Sequence, residues 1–225
     1  MLNFFIKLIY RPFLGDEANS LSLDIIRLYS QIESGTRVRP ALIVQRVLVS
    51  AEDHRAANHP GYDIFSIARA IYRFCFNGRL EGGSTIVQQL VRVLTCNYEV
   101  SIRRKVKEIG LACLVAEITP REIFPSVYLS IAYYGTGAVG YPAICKLLRV
   151  PEFNCDLDAA AKIVARLKFP QPIKPTKKMN SKVANREAHI SELYRRHEGR
   201  GVYEYLQAVF PVEPESSWNG ATPRV

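Results

Sequence analysis

The chain has 225 residues, enough for one sizeable domain with at most a modest appendage. Hydrophobic residues make up 48% and charged residues 23%, a balance that excludes an intrinsically disordered chain. The formal net charge of +9 favours an anionic partner, whether nucleic acid, a phospholipid surface or a phosphorylated substrate, without choosing among them.

In chain order, Met1 to Leu14 is apolar but interrupted by Lys7 and Arg11, with Pro12 between Arg11 and Phe13. A bilayer span needs about 20 apolar residues, so the stretch is too short to cross, and it lacks a small-residue cleavage site. Phe4, Phe5, Ile6, Leu8 and Ile9 with two cations suit an interfacial segment on anionic lipid. They suit a terminal helix folded onto the domain equally well.

Ser22 to Ser34 reads as a short amphipathic helix carrying Leu23, Ile26, Tyr29 and Ile32 and closed by Gly35. Pro40 takes a first-turn position, and Ala41 to Ala51 is apolar nearly all round, the mark of a buried helix. Asp63 can cap a helix through Cys75, with Ile64, Ile67, Ala68, Ile71 and Cys75 on one face and Arg69 and Arg73 on the other. Gly78, Gly82 and Gly83 predict a loop, and Ser84 restarts a helix to about Thr95. Ser101 to Glu117 is the clearest amphipathic helix, with Val106, Ile109, Gly110, Cys113 and Leu114 as its apolar stripe. Glu122 to Tyr134 predicts another, its regular part following Pro125. Gly135, Gly137 and Gly140 mark turns, Asp158 to Leu167 an Ala-rich helix, Pro170 to Pro175 a loop, and Val183 to Arg196 a last helix. The Pro-, Ser- and Gly-containing tail after Phe210 is expected to be poorly ordered. No segment sustains two-residue alternation, so the fold class expected is mainly α.

Five scattered cysteines (Cys75, Cys96, Cys113, Cys145, Cys155) form no C-x-x-C pair and have no histidine at ligand spacing, which argues against zinc. Their odd number excludes a fully paired disulfide framework within one chain. Cys75 and Cys113 fall at apolar helical positions and read as buried thiols, a usage that fits a reducing compartment better than an oxidising one.

Three clusters carry chemistry. Ala51-Glu52-Asp53-His54-Arg55, with His59 and Gly61, puts two acids at the end of a buried helix. The plainer reading is a solvated helix end, but the helix dipole disfavours negative charge there, and a carboxylate at an apolar edge can serve as a general base. Gly82-Gly83-Ser84-Thr85-Ile86-Val87-Gln88-Gln89-Leu90-Val91-Arg92 runs from a loop into a helix N-terminus suited to anions. Thr85, Gln88 and Arg92 share one face; capping and surface exposure explain much of it, but two glutamines amid apolar residues need a cleft or exposure. In Arg103-Arg104-Lys105-Val106-Lys107-Glu108, Arg104 and Lys105 stand four and three residues before Glu108. The plainer reading is an ion pair worth roughly 0.3–0.5 kcal/mol. The functional one is a phosphate-binding knot of cations around an acid they keep ionised.

The order and separation of these clusters, followed by Tyr128-Leu129 and Tyr133-Tyr134-Gly135-x-Gly137-x-x-Gly140, resemble the successive motifs of the peptidoglycan glycosyltransferase (transglycosylase) domain. That domain occurs in monofunctional transglycosylases and in bifunctional penicillin-binding proteins. The likeness runs from about Val38 to about Arg196, and Gly-Ser-Thr-Ile-x-Gln-Gln-Leu is its most specific element. With no room for a transpeptidase domain, a monofunctional member is expected, organised as a membrane-associating segment (1–36), the glycosyltransferase domain (37–205) and a tail (206–225).

The resemblance implies a lysozyme-like helical lobe with a smaller membrane-facing lobe, at the periplasmic or outer face of the bacterial cytoplasmic membrane. Its implied partners are lipid II, the growing glycan strand, membrane lipid and other cell-wall synthesis proteins, not nucleic acid. It implies Glu52 as the general base that takes the proton of the acceptor's 4-hydroxyl. Arg92, Arg104 and Lys105 would hold the donor pyrophosphate, and Glu108 would orient that site or bind a divalent ion, magnesium or manganese. Asp53, His59, Ser84, Thr85, Gln88 and Gln89 would complete the substrate site. The sequence departs from the family at Ala56 for an aromatic, Arg92 for lysine, Val93 for asparagine, Ala116 for an acid and Ser130 for asparagine. The spacing from Glu117 to Tyr128 departs as well. Those losses keep an alternative in view: a catalytically weak or inactive relative that binds lipid II or glycan as a cell-wall scaffold. A lytic muramidase and a nucleic-acid binder rank behind it.

Overall fold

The computed structural model describes residues 2–78 and 82–207, and these are mainly α-helical. Helix α1 (Leu2–Glu33) is one continuous element where two separate pieces were expected, and it carries Pro12 within it. Proline removes one N–H and crowds the preceding turn; burial farther along supplies the compensation. Ala18, Leu21, Ile25 and Ile32 are fully buried at helical spacing, with Ser22 among them. Leu23 and Ile26, expected on the packed face, point outward instead. Side chains before Leu8 lie outside those described, as does the tail from residue 208.

Helix α2 (Leu42–Glu52) is the buried helix its composition predicts: Val44, Val47, Leu48 and Val49 are inaccessible to solvent. Asp63 caps α3 (Ile64–Asn77), its carboxylate accepting from the Phe65 amide and the Ser66 hydroxyl. The expected inner face of α3 is not a core face, however. Ile64, Ala68 and Cys75 are exposed and Ile67 is half-buried, while the side chain of Ile71 lies outside those described, so the amphipathic pattern there does not mark the core, and Cys75 is not the buried thiol expected. Phe65, Tyr72 and Phe76 are exposed as well. Cys113 is buried as predicted.

Thr85 rather than Ser84 caps α4 (Ile86–Leu94), accepting from the Gln88 amide. Ser101 caps α5 (Ile102–Ile118) through the Arg104 amide. The first half of α5 is largely exposed, Val106 included, while residues 110–115 are buried almost all round. Helix α1 is what covers them: Tyr10 and Leu14 close over Gly110, and Lys107 pairs with Glu17 at 2.8 Å. A 3₁₀ turn (Arg121–Ile123) leads into α6 (Phe124–Ile131), with Pro125 in its first turn as the sequence suggests.

The glycine cluster forms a small antiparallel hairpin, β1 (Tyr133–Gly135) with β2 (Ala138–Val139). Gly135 at φ +136 lies so close to Gln171 that a Cβ would meet its backbone oxygen at 2.2 Å. Helix α7 (Tyr141–Leu148) has no counterpart in the sequence reading. Helices α8 (Leu157–Lys168) and α9 (Lys177–His197) begin earlier than predicted because Asp156 and Thr176 cap them. A short α10 (Glu204–Gln207) ends the described chain. One core runs through all of this, with α2 packed between α8, α9 and α6. No helix among the described residues is long and apolar enough to cross a membrane.

Candidate active site

Helix α2 ends on Glu52, so a carboxylate and the last free carbonyls of the helix share one terminus, where the dipole disfavours both. Arg186 of α9 answers this. Its Nη2 lies 2.7 Å from Glu52 Oε1 and donates to the Ala51 carbonyl at 3.3 Å. The other Glu52 oxygen accepts from Gln89 Nε2 at 3.2 Å, and Gln89 is itself oriented by the Tyr128 hydroxyl, which donates to its Oε1 at 2.7 Å. Burial raises the pKa of Tyr128, keeping it a donor.

Asp53 and His59 turn inward. His59 Nδ1 accepts from the Gly61 amide, which leaves Nε2 protonated and donating to Asp53 Oδ1 at 2.8 Å. Asp53 Oδ2 accepts from the Ile86 amide at 3.0 Å, an acid placed at the positive end of α4. Gly61 completes the turn at φ +95, where a Cβ would sit 2.3 Å from the Ala112 carbonyl oxygen. Its own carbonyl accepts from Thr85 Oγ1 at 2.7 Å and Gln88 Nε2 at 3.4 Å. Asp53, His59, Thr85 and Gln88 therefore fasten the turn that follows Glu52 to α4.

Around Glu108 the cations converge. Arg92 grips it bidentately, Nε to Oε2 at 2.8 Å and Nη2 to Oε1 at 3.0 Å. Lys105 Nζ donates to Oε1 at 2.6 Å, to Gln88 Oε1 at 2.6 Å and to Ser84 Oγ at 2.9 Å. Arg104 Nη1 meets Oε2. Burial pushes the Glu108 carboxyl pKa up, but Arg92 and Lys105 outweigh it and hold it below the ordinary glutamate value. Burial also lowers the Lys105 pKa, an effect Glu108 opposes.

A cleft of about 870 Å³ is lined by Glu52, Ser84, Gln89 and Arg92, with Arg69, Arg73, Lys168 and Lys182 among its basic residues. Glu52 and the Arg92 end of the cation cluster thus face one space. Lys105 reaches that space through Ser84. Arg104 does not line it; it lines a separate recess of about 20 Å³ with Glu17 and Lys107, across Glu108 from the cleft. As a metal ligand Glu108 does not fit: each oxygen already accepts from two cationic nitrogens, and three positive side chains oppose a dication. Among the described residues no group of three or more His, Cys, Asp or Glu is arranged to hold a metal.

Sequence reasoning missed Arg186, Lys182, His189 and His197 and gave no role to His54 of the first cluster, all of which line the cleft. The one signal for Arg186 was indirect, a carboxylate at a helix C-terminus, where the dipole disfavours it.

A transglycosylase family model matches residues 31–194. Penicillin-binding protein 1A of Rickettsia typhi is 30% identical over 155 residues, covering 65% of this chain and 19% of that protein. The biosynthetic peptidoglycan transglycosylase of Thiobacillus denitrificans is 31% identical over 130 residues, 57% of this chain and 56% of the relative. Penicillin-binding protein 1F of Bacillus subtilis is 34% identical over 130 residues, 57% and 17% respectively. The matched stretch is thus about a fifth of the two penicillin-binding proteins and just over half of the Thiobacillus relative. With a family match across residues 31–194, and the first two of its motifs lining one cleft, this chain belongs to the transglycosylase family.

Proposed function

We propose that the protein polymerises lipid II into β-1,4-linked glycan strands by an inverting displacement, with Glu52 as general base. The acceptor's 4-hydroxyl oxygen bonds to the anomeric carbon of the donor, its proton passes to the Glu52 carboxylate, and the carbon–oxygen bond to undecaprenyl pyrophosphate breaks. Arg92 and Lys105 stabilise the negative charge that grows on the departing pyrophosphate, supplying fixed cations where charge develops. Glu108 keeps those cations in place, and Arg104 braces it from behind. Asp53, His59, Thr85 and Gln88 set the distance between base and phosphate site; Gln89 and Arg186 aim the base.

The observation that carries this reading is the shared cleft of Glu52 and Arg92. A muramidase would need one carboxyl protonated at working pH, and Glu108, held below the ordinary glutamate value, is unsuited to that part. Membrane association fits the exposed Phe65, Tyr72 and Phe76 of α3 alongside Arg69 and Arg73, and the exposed Leu8, Ile9 and Phe13 of α1 near Arg11. Such apolar and basic faces suit anionic lipid at the outer surface of the cytoplasmic membrane.

Purified protein given lipid II in detergent is the direct test. Glycan chains from wild type, and none from Glu52→Gln, are the expected result. Saturable lipid II binding with no polymer would favour the scaffold alternative, and polymer from both proteins would remove Glu52 from its role.

A further inference from the structure

The family match ends at residue 194, yet the chain beyond it folds back onto the turn that carries Glu52. The Tyr203 hydroxyl meets Ser50 Oγ, two residues before Glu52, and both are buried. The Tyr203 ring stacks on Tyr194, and the Arg46 guanidinium lies over it at 5.9 Å. His197 Nδ1 is 3.2 Å from the same Ser50 Oγ, and its ring stacks on His54 with centroids 5.1 Å apart.

Tyr205, in α10, reaches the opposite flank of the turn. It lines a hollow with Asp53, Ala56, His59 and Ala116, closed down to about 10 Å³, no more than one water's volume. Residues 56 and 116 are alanines, so neither side chain can back the Asp53–His59 pair across that gap. The Tyr205 hydroxyl is buried with no hydrogen-bond partner, so packing rather than polar contact holds the ring there.

We infer that residues 197–207 clamp the catalytic turn, with Tyr205 a positioning residue that fills the hollow left by Ala56 and Ala116 behind Asp53 and His59. The consequence runs through Asp53, whose Oδ2 holds the Ile86 amide at the start of α4, the helix that carries Gln89 and Arg92. A turn loose at this point lets Glu52 drift against Arg92, and a misplacement of about 1 Å can lower turnover about 100-fold. The kinetic part rests on the proposed glycosyl transfer; the structural part does not.

The test compares Tyr205→Ala, Tyr205→Leu and Tyr205→Phe with the pair Tyr205→Ala/Ala56→Phe, which refills the hollow from the other side. Amide exchange at Ile86 is read by NMR on the folded, full-length proteins, and kcat and KM are read with lipid II. Expected are faster Ile86 exchange and a kcat about 10- to 100-fold lower in Tyr205→Ala, with KM little changed. Tyr205→Leu, kept in case the alanine variant fails to fold, lies between, and Tyr205→Phe keeps wild-type exchange. The double variant recovers both slow exchange and kcat. Wild-type Ile86 exchange in the alanine or leucine variant would overturn the clamp, as would a well-folded double variant that recovers thermal stability but neither exchange nor kcat. Should the wild type make no polymer while Ile86 exchange responds as described, the clamp stands and the functional reading falls.

Discussion

Glu52 and Glu108 are the same side chain in two settings, and the difference lies in what their oxygens have left to do. Glu52 is 20% exposed, tethered by one guanidinium and one carboxamide at the wall of an open cleft. Glu108 is 3% exposed, and three cations occupy its oxygens. A base needs a lone pair that a substrate can reach; an anion surrounded by its own cations has none to offer. Both glutamates stand at motif positions of the sequence, but their surroundings leave one with an oxygen facing the cleft, as the proposed base requires, and commit the other to holding positive charge in place.

The sharpest way to break this contrast is Glu52→Gln. The amide keeps an oxygen for Arg186 but cannot take a proton, so turnover should fall about 10²- to 10⁴-fold with thermal stability nearly unchanged. Comparable turnover in polymerisation assays would mean that the reachable carboxylate is not the base.

Glu108→Gln should act on the fold instead. Removing one partner of a buried ion cluster costs about 3–5 kcal/mol, and the partly exposed arginines and lysine place the loss near about 3 kcal/mol in urea unfolding. Because the folded carboxyl titrates below its ordinary 4.5, its stabilisation is complete above pH 4.5 and drains away as pH falls from there through the folded value. The glutamine variant should lack that acid-side loss. A variant as stable as wild type would show that the cations do not depend on this anion.

A smaller effect is expected from Tyr128→Phe, which deletes the donor that orients Gln89 toward Glu52. Losing such a hydrogen bond costs about 1 kcal/mol, or roughly a fivefold drop in kcat, with KM steady. Weaker binding at constant kcat would place Gln89 with the substrate rather than with the base.

Smallest is the response of the cleft histidines. Burial, then Arg69, lowers the pKa of His54; burial, then His54, lowers that of His197. Their contribution is complete above the ordinary value of 6.5 and is lost as pH falls through the lower folded values. A drop in Tm of about 1–2 °C between about pH 7 and pH 5.5 is expected, reduced in His197→Asn. A Tm that rises on acidification would contradict the stacked, neutral pair.

What could be read from the sequence was local. Arg104, Lys105 and Glu108 lie within one helical turn, so their meeting follows from spacing alone, and two glutamines among apolar residues already called for a cleft or exposure. Gln89 lines the cleft, whereas Gln88 is buried, its amide satisfied by the Gly61 carbonyl and Lys105. Arg186 was illegible because 134 residues separate it from Glu52, and no local pattern encodes such a crossing. The length of α1 was hidden by Pro12 and Gly15, whose local preferences yield to packing against α5. Helix α3 misled in the opposite sense. Its apolar residues obey helical periodicity, yet Ile64, Ala68 and Cys75 of the expected face are exposed, since periodicity shows that a face is apolar and not what covers it.

Gly61 joins three parts of the molecule at a single peptide. Its carbonyl anchors α4, its α-carbon rests against the backbone of α5, and its amide holds His59 of the turn that follows Glu52. Even a methyl group there would wedge the two helices apart and release that histidine in the same motion. The tolerance for drift between the half that bears Glu52 and the half that bears the Glu108 cation cluster is therefore set at this crossing, where there is no room for one added carbon.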